Sequence, residues 1–287
     1  MTTKSNIVSI FLTENQKKSL FRLLSEDDPE TTSLVRQQLI NQGESGVPEL
    51  EGWLKEVHGT PIERHLLEIL GRLKYGHCDT EFLEFCNRVR ASNDFDLEDG
   101  SFLLASAEYP SIDMSRYRAI LDHIAEEVAR QREKETLSEI EVLSFVLHER
   151  FRFRGNRDRY YEAENTYLNR VLERKMGIPL TLSLLYILVG KRLDIAIQGV
   201  ALPGHFLVSW QKQFFDPFNH GRLLNEQACQ QMVEARGQKF TKEQLNPATS
   251  RQVLSRMLMN LARVYEIEED RPRFIRIRKY LQALGVI

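Results

Sequence analysis

The chain has 287 residues, of which 42% are hydrophobic and 28% charged, and a formal net charge of −2. That apolar content can bury a substantial core as one large domain or two modest ones. The charge balance gives no bulk basicity with which to hold nucleic acid or an anionic membrane.

The first ten residues, MTTKSNIVSI, lack a long apolar stretch after a basic region and read as a poor secretion signal. From Thr13 to Leu24 the apolar positions suit a helix, and Asp28-Pro29 starts a second that Gly43 ends. Val47 to Val57 and Pro61 to Leu73 read as two more, and another helix begins at Asp79. The proline starts suggest either stacked helix pairs or irregular helical packing. Gly100 to Ala107, the stripe Tyr117, Ile120, Leu121, Ile124 and Val128, and Ser138 to Leu147 continue the helical pattern. The run Arg130 to Glu135 reads as a solvated helix end. Phe151 to Tyr161 breaks the pattern as a loop turning at Gly155-Asn156, the best internal boundary, and a tightly packed single domain is equally compatible.

Pro179 opens the next helix, with Thr181, Leu184, Leu185, Leu188 and Arg192 along one side. Its longest apolar run, Leu182 to Val189, is far shorter than a membrane span. Ile195 to Ala201 reads as a strand, and Pro203-Gly204 turns the chain. A hairpin then folds about Gln211-Lys212, which places Leu207 opposite Asp216 and His205 opposite Phe218. In that register His205 and Asp216 share one face, although Gln-Lys is poor turn chemistry and a one-residue slip would separate them. Leu223 to Ala235 reads as helical, Pro247 opens another helix, and Pro272 starts the last.

A helix N-terminus facing a His–carboxylate pair suits acyl chemistry, because the macrodipole and free amides stabilise developing negative charge. Asp216 would hold the His205 tautomer while the other ring nitrogen takes a proton from Thr181. The alternative is a buried first-turn Thr181 bonded to backbone beside a structural His205. The three cysteines, Cys78, Cys86 and Cys229, are widely spaced; with His77 they form no compact zinc pattern, and they suit a reducing cytosol. His220 reads as an exposed turn residue. No phosphate-cradling glycine motif occurs. Arg152, Arg154, Arg157 and Arg159 cluster with Tyr160 and Tyr161, either to meet RNA or an acidic peptide or as a salt-bridged loop.

Several blocks in order resemble the SirB1 family: EYP at Glu108 to Pro110, FRGNRDRYY at Phe153 to Tyr161, NTYLNRVLERKMGIPLTLSLLY at Asn165 to Tyr186, PGHFLV at Pro203 to Val208, and DPFNHGRLL at Asp216 to Leu224. This is a branch of the transglutaminase-like superfamily with a tetratricopeptide-like C-terminus. The resemblance implies an α+β fold, mostly helical, with a small antiparallel sheet in a transglutaminase/papain-like core. It divides the chain into a helical region over 1–150, the core over 151–235 and a helical hairpin over 236–287. It places the superfamily's cysteine nucleophile near Pro179 to Thr181, where this chain has no cysteine, and gives His205 and Asp216 the other two roles. Tyr160, Tyr161, Asn165, Asn169 and Arg170 belong to the same blocks, as cleft residues or as a polar network.

Two functions follow as expectations. One is a non-catalytic protein-binding or scaffold module, cytoplasmic, without cofactor or metal, whose partner is a protein or peptide rather than nucleic acid or membrane. The other is an acyl-transfer or hydrolytic enzyme using Thr181, His205 and Asp216. An internal threonine has a far higher intrinsic pKa than a thiol, so it demands close base contact and a real oxyanion hole.

Overall fold

The computed structural model describes residues 13–25, 28–92, 94–133 and 136–287. The residues 1–10 read for a secretion signal, residues 134–135 of the basic-acidic run, and the side chain of His77 lie outside the described residues. The chain divides at Thr80 into two compact units.

The first unit contains α1 (Glu14–Leu24), α2 (Pro29–Ile40), α3 (Val47–Glu56) and the start of α4 (Pro61–Val89). Thr13 and Gln16 cap α1 reciprocally, and Asp28 accepts from the first amides of α2 beside Pro29. Leu24, Leu39, Leu50, Trp53, Leu66 and Ile69 form its core. The sequence predicts a break between Leu73 and Asp79, but α4 runs straight through. Nothing packs within 4 Å of where a Cβ would sit at Gly71 or Gly76, and an interior glycine costs only about 1 kcal/mol.

The second unit is mostly helical with a small antiparallel sheet. It begins with α5 (Leu97–Glu108) and α6 (Met114–Arg132), started by side-chain caps at Asp96 and Asp113, and α7 (Glu139–Phe145), where the Glu141 carboxylate accepts from the Ser138 amide and hydroxyl. A wider π turn continues α7 over Val146–Arg150. A short parallel pair, β1 (Arg154–Gly155) and β2 (Met176–Gly177), brackets α8 (Leu168–Arg174). Then come the buried α9 (Pro179–Arg192) and a meander of β3 (Gln198–Val200), β4 (Leu207–Trp210), β5 (Gln213–Asp216) and β6 (Arg222–Leu224). The chain closes with α10 (Glu226–Glu234) and the antiparallel α11 (Ser250–Ile267) and α12 (Arg271–Ala283).

One hydrophobic core runs from Phe82 to Leu284 and draws on α5 to α9, the sheet, α11 and α12. Residues on both sides of residue 150 contribute to this core. Two starts differ from the sequence reading. Leu223 and Leu224 belong to β6, and Asn225 caps α10. Pro247 bridges the edge strand at Val200, and α11 begins later, at the Thr249–Gln252 capping box.

Candidate functional site

The β4–β5 hairpin pairs Val208 with Phe215 and Trp210 with Gln213, and continuing that ladder sets Leu207 opposite Asp216 as the sequence predicts. The turn is made despite its chemistry: Gln211 and Lys212 both take positive φ, 49° and 65°, the conformation that two-residue hairpins require. His205 lies just before β4, and its Nε2 stands 3.1 Å from Asp216 Oδ1. The separation is that of an ion pair, but Nε2 makes no directed hydrogen bond. Asp216 also accepts from the Phe218 amide at 3.1 Å and from Asn219 Nδ2 at 2.6 Å. Burial alone would raise its pKa; the neighbouring imidazole and the Asn219 donors outweigh burial and hold it below the usual carboxylate value.

Thr181 turns the other way. It is the third residue of α9, and Ile178, which precedes the helix, has no side-chain acceptor with which to cap it. Thr181 Oγ1 supplies the return half of a capping box instead, accepting from the Ile178 amide at 3.1 Å. It donates to the Asn165 carbonyl at 2.7 Å and is fully buried. Helix geometry explains the direction. The side of α9 toward the hairpin carries Ser183, whose Oγ reaches the Phe206 carbonyl at 3.4 Å, and Tyr186, which feels the Asp216 charge. At 3.6 residues per turn, Thr181 lies about 160° round from Ser183 and about 140° from Tyr186. The first-turn residue on the hairpin side is Pro179, which offers neither hydroxyl nor thiol. The structure thus brings His205 and Asp216 together and commits the Thr181 hydroxyl elsewhere.

The loop read as GNRDRYY is braced by two asparagines. Asn156 bonds Asn165 at 3.0 Å and the Arg159 amide at 3.1 Å. Asn165 Nδ2 holds the Arg159 and Tyr160 carbonyls at 2.7 and 3.1 Å. With Thr181 on the Asn165 carbonyl, loop and helix are locked by one buried network. Tyr160 is half-buried, 6.2 Å from the Phe218 ring, while Tyr161 is exposed. Phe218 in turn lies 6.3 Å from the His205 ring. Arg170 forms ion pairs with Glu164 and Glu173, and Asn169 is buried with Oδ1 unpartnered.

A profile of the transglutaminase-like superfamily matches residues 115–259, half of the chain. The chain belongs to the transglutaminase-like superfamily. It is 34% identical over 177 residues to a UPF0162 protein of Xylella fastidiosa, covering 58% of this chain and 63% of the relative. It is 26% identical over 147 residues to a UPF0162 protein of Vibrio cholerae, covering 48% and 54%. F-box only protein 21 of Mus musculus is 32% identical over 134 residues, 42% of this chain and 21% of that protein. The chain thus spans less than two thirds of the curated relatives it matches. No solved structure matches it.

The transglutaminase-like core holds a second polar cluster that the sequence reading missed. Buried His148 contacts the Phe153 carbonyl through Nδ1 at 2.8 Å and the Tyr186 hydroxyl through Nε2 at 2.9 Å. Tyr186 also meets Ser144 Oγ at 2.8 Å. A carbonyl can only accept, so His148 Nδ1 carries a proton. Burial pushes the His148 pKa below its ordinary value. The His148 ring lies 5.1 Å from that of His220, which is exposed at the turn after Asn219 as the sequence predicts. A charged pair at that distance would be repulsive.

Burial raises the thiols of Cys86 and Cys229 to about 12 and about 11, so neither is an activated nucleophile. Among the described residues no group of three His, Cys, Asp or Glu side chains is arranged to hold a metal ion, and no helix is long and apolar enough to cross a membrane. A cavity of about 470 Å³ opens elsewhere in this unit, lined by Phe95, Glu98, Ile187, Lys191 and Ala248 among others, and includes none of Thr181, His205 or Asp216.

Proposed function

We propose that this chain is a SirB1-like, non-catalytic protein-binding or scaffold module built on a transglutaminase-like core. The observation that carries the reading is the direction of the Thr181 hydroxyl. Its one proton is given to a backbone carbonyl, and its oxygen accepts the amide that starts α9. Deprotonation by His205 would require breaking both contacts and turning the side chain through much of the helix circumference. Ser183, on the hairpin side, is itself fully buried and directed at the Phe206 carbonyl. A His–carboxylate pair with no aligned nucleophile positions the β4–β5 hairpin rather than a reacting atom.

In this reading the protein works in the cytoplasm with a protein or peptide partner and needs no cofactor. The partner meets the surface around Tyr160 and Tyr161, while Asn165, Asn169 and Arg170 fix the loop that presents it. The functional regions are those over 1–150, 151–235 and 236–287, the last resembling one tetratricopeptide-like unit through α11 and α12. The second reading, acyl transfer or hydrolysis by Thr181 with His205 and Asp216, is favoured by the 3.1 Å histidine–carboxylate contact alone.

The deciding experiment compares ester and amide turnover by the parent, Thr181→Ala and His205→Ala. The proposal expects all three to match the buffer rate. Turnover by the parent that disappears in both variants would establish the enzyme instead.

A further inference from the structure

We infer that the rim around His205 is a receptor for the carboxylate of an acidic peptide segment. The inference rests on the protein-binding reading and names the chemistry of its partner.

Three arginines converge there without a carboxylate partner among the described residues. Arg256, from α11, is half-buried and touches only the carbonyls of Leu202 and His205, each at the long distance of 3.3 Å. Arg236, just after α10, donates to the Met232 carbonyl in the last turn of that helix at 2.8 Å and to the Gly204 carbonyl at 3.2 Å, and lies so close over Gly204 that a Cβ there would collide with it. Both are near enough to act on the Tyr160 hydroxyl. Arg157 lies 5.1 Å over the Phe218 ring and bonds the neutral Asn219. The two rings that Phe218 approaches edge-on are Tyr160 and His205. Three cations therefore surround one aromatic patch.

The arrangement departs from what this chain does with its other half-buried arginines. Arg170, Arg174 and Arg192 each meet two carboxylates, and Arg276 meets Glu108. Arg251 has carbonyl partners only, but they are those of Leu284 and Gly285, just past the C-terminal end of α12, where the helix dipole is negative. Arg256 has no such compensation, and burial lowers its pKa. The carboxylates of the neighbouring loop do not supply it. Glu162 is held by Arg159 and Arg174, and Asp158 is exposed beside Arg157. Asp216 is occupied by His205 and Asn219.

A guanidinium fork left with spare donors matches a carboxylate in geometry and charge. Flanking tyrosines suit a peptide, whose side chains stack while an acidic group enters. Nucleic acid fits less well. It would need a phosphate track longer than three arginines, and the chain as a whole is weakly acidic.

The test is fluorescence anisotropy of the full chain with three labelled probes. These are a peptide of four glutamates, a tyrosine and four glutamates; the same peptide with every glutamate replaced by glutamine; and a nine-nucleotide uridine oligomer. The expected result is saturable binding of the glutamate peptide only. Arg256→Gln should weaken it about tenfold or more, as loss of a charge-assisted hydrogen bond does, and Arg236→Gln and Arg157→Gln about threefold each. The last two positions are exposed, so they carry the test even if Arg256→Gln fails to fold. No binding of the glutamate peptide, equal binding of the glutamine peptide, tighter binding of the oligomer, or full affinity in the arginine variants would overturn the inference. Ester turnover by the same preparation would overturn the protein-binding reading instead, whatever the peptides do.

Discussion

Replacing Thr181 by valine keeps the shape of the side chain and removes only its hydroxyl. The Asn165 carbonyl then loses its 2.7 Å donor and the Ile178 amide its 3.1 Å acceptor, both at a site closed to water. A buried polar group left unsatisfied costs about 1–3 kcal/mol, so the pair sums to roughly 2–6 kcal/mol. Thr181→Ser keeps both contacts and deletes one methyl, at about 1 kcal/mol. Stability should therefore fall in the order parent, serine, valine. Urea unfolding followed through Trp210 in a Trp53→Phe background reports the second unit alone. With a slope of about 2 kcal/mol/M, the valine variant should unfold roughly 1–3 M earlier. A valine variant within about 0.5 kcal/mol of the parent would refute the capping role, since the hydroxyl would then be free for other work.

The folded state holds His148 neutral, with its pKa below the ordinary 6.5. The unfolded chain then binds the proton first on acidification. The stabilisation it carries is complete above pH ~6.5 and is lost as pH falls toward the folded pKa. The Trp210 signal should show this loss, and His148→Asn, which can still donate to the Phe153 carbonyl, should flatten it; an unchanged slope counts against the assignment. Tyr186→Phe leaves the buried His148 Nε2 without its partner and should cost about 1–3 kcal/mol in the same assay. At Gly155 an added Cβ would stand 2.5 Å from the Phe218 ring. Gly155→Ala should cost about 1–3 kcal/mol by overpacking, and a variant as stable as the parent would contradict this close approach.

What could be read from the sequence depended on how local the deciding interactions are. The starts of α2, α9 and α12 follow from Pro29, Pro179 and Pro272, because proline fits a first turn and few other places in a helix. The hairpin register followed from its two-residue turn even though Gln211 and Lys212 argued against it; the strands it joins outweigh the strain of two positive φ values. The break predicted between Leu73 and Asp79 is absent, since the interior glycines there lower helix stability without removing a hydrogen bond. β6 escaped because Leu223-Leu224 fits a helical stripe as well as a three-residue strand, and only pairing with β5 decides. His148 escaped for a longer-range reason: its partner Tyr186 lies 38 residues away. At the candidate site, residue types alone could place His205 beside Asp216, but not the direction of Thr181. That direction depends on Asn165, sixteen residues earlier, presenting its carbonyl to the far side of α9.

The central claim, that no hydroxyl or thiol serves the His205–Asp216 pair, is tested most directly by intact-mass analysis after treatment with a hydroxyl-directed fluorophosphonate, beside His205→Ala. The account predicts no stoichiometric adduct in either protein. A single adduct on the parent, mapped to Thr181 or Ser183 and absent from His205→Ala, would contradict it.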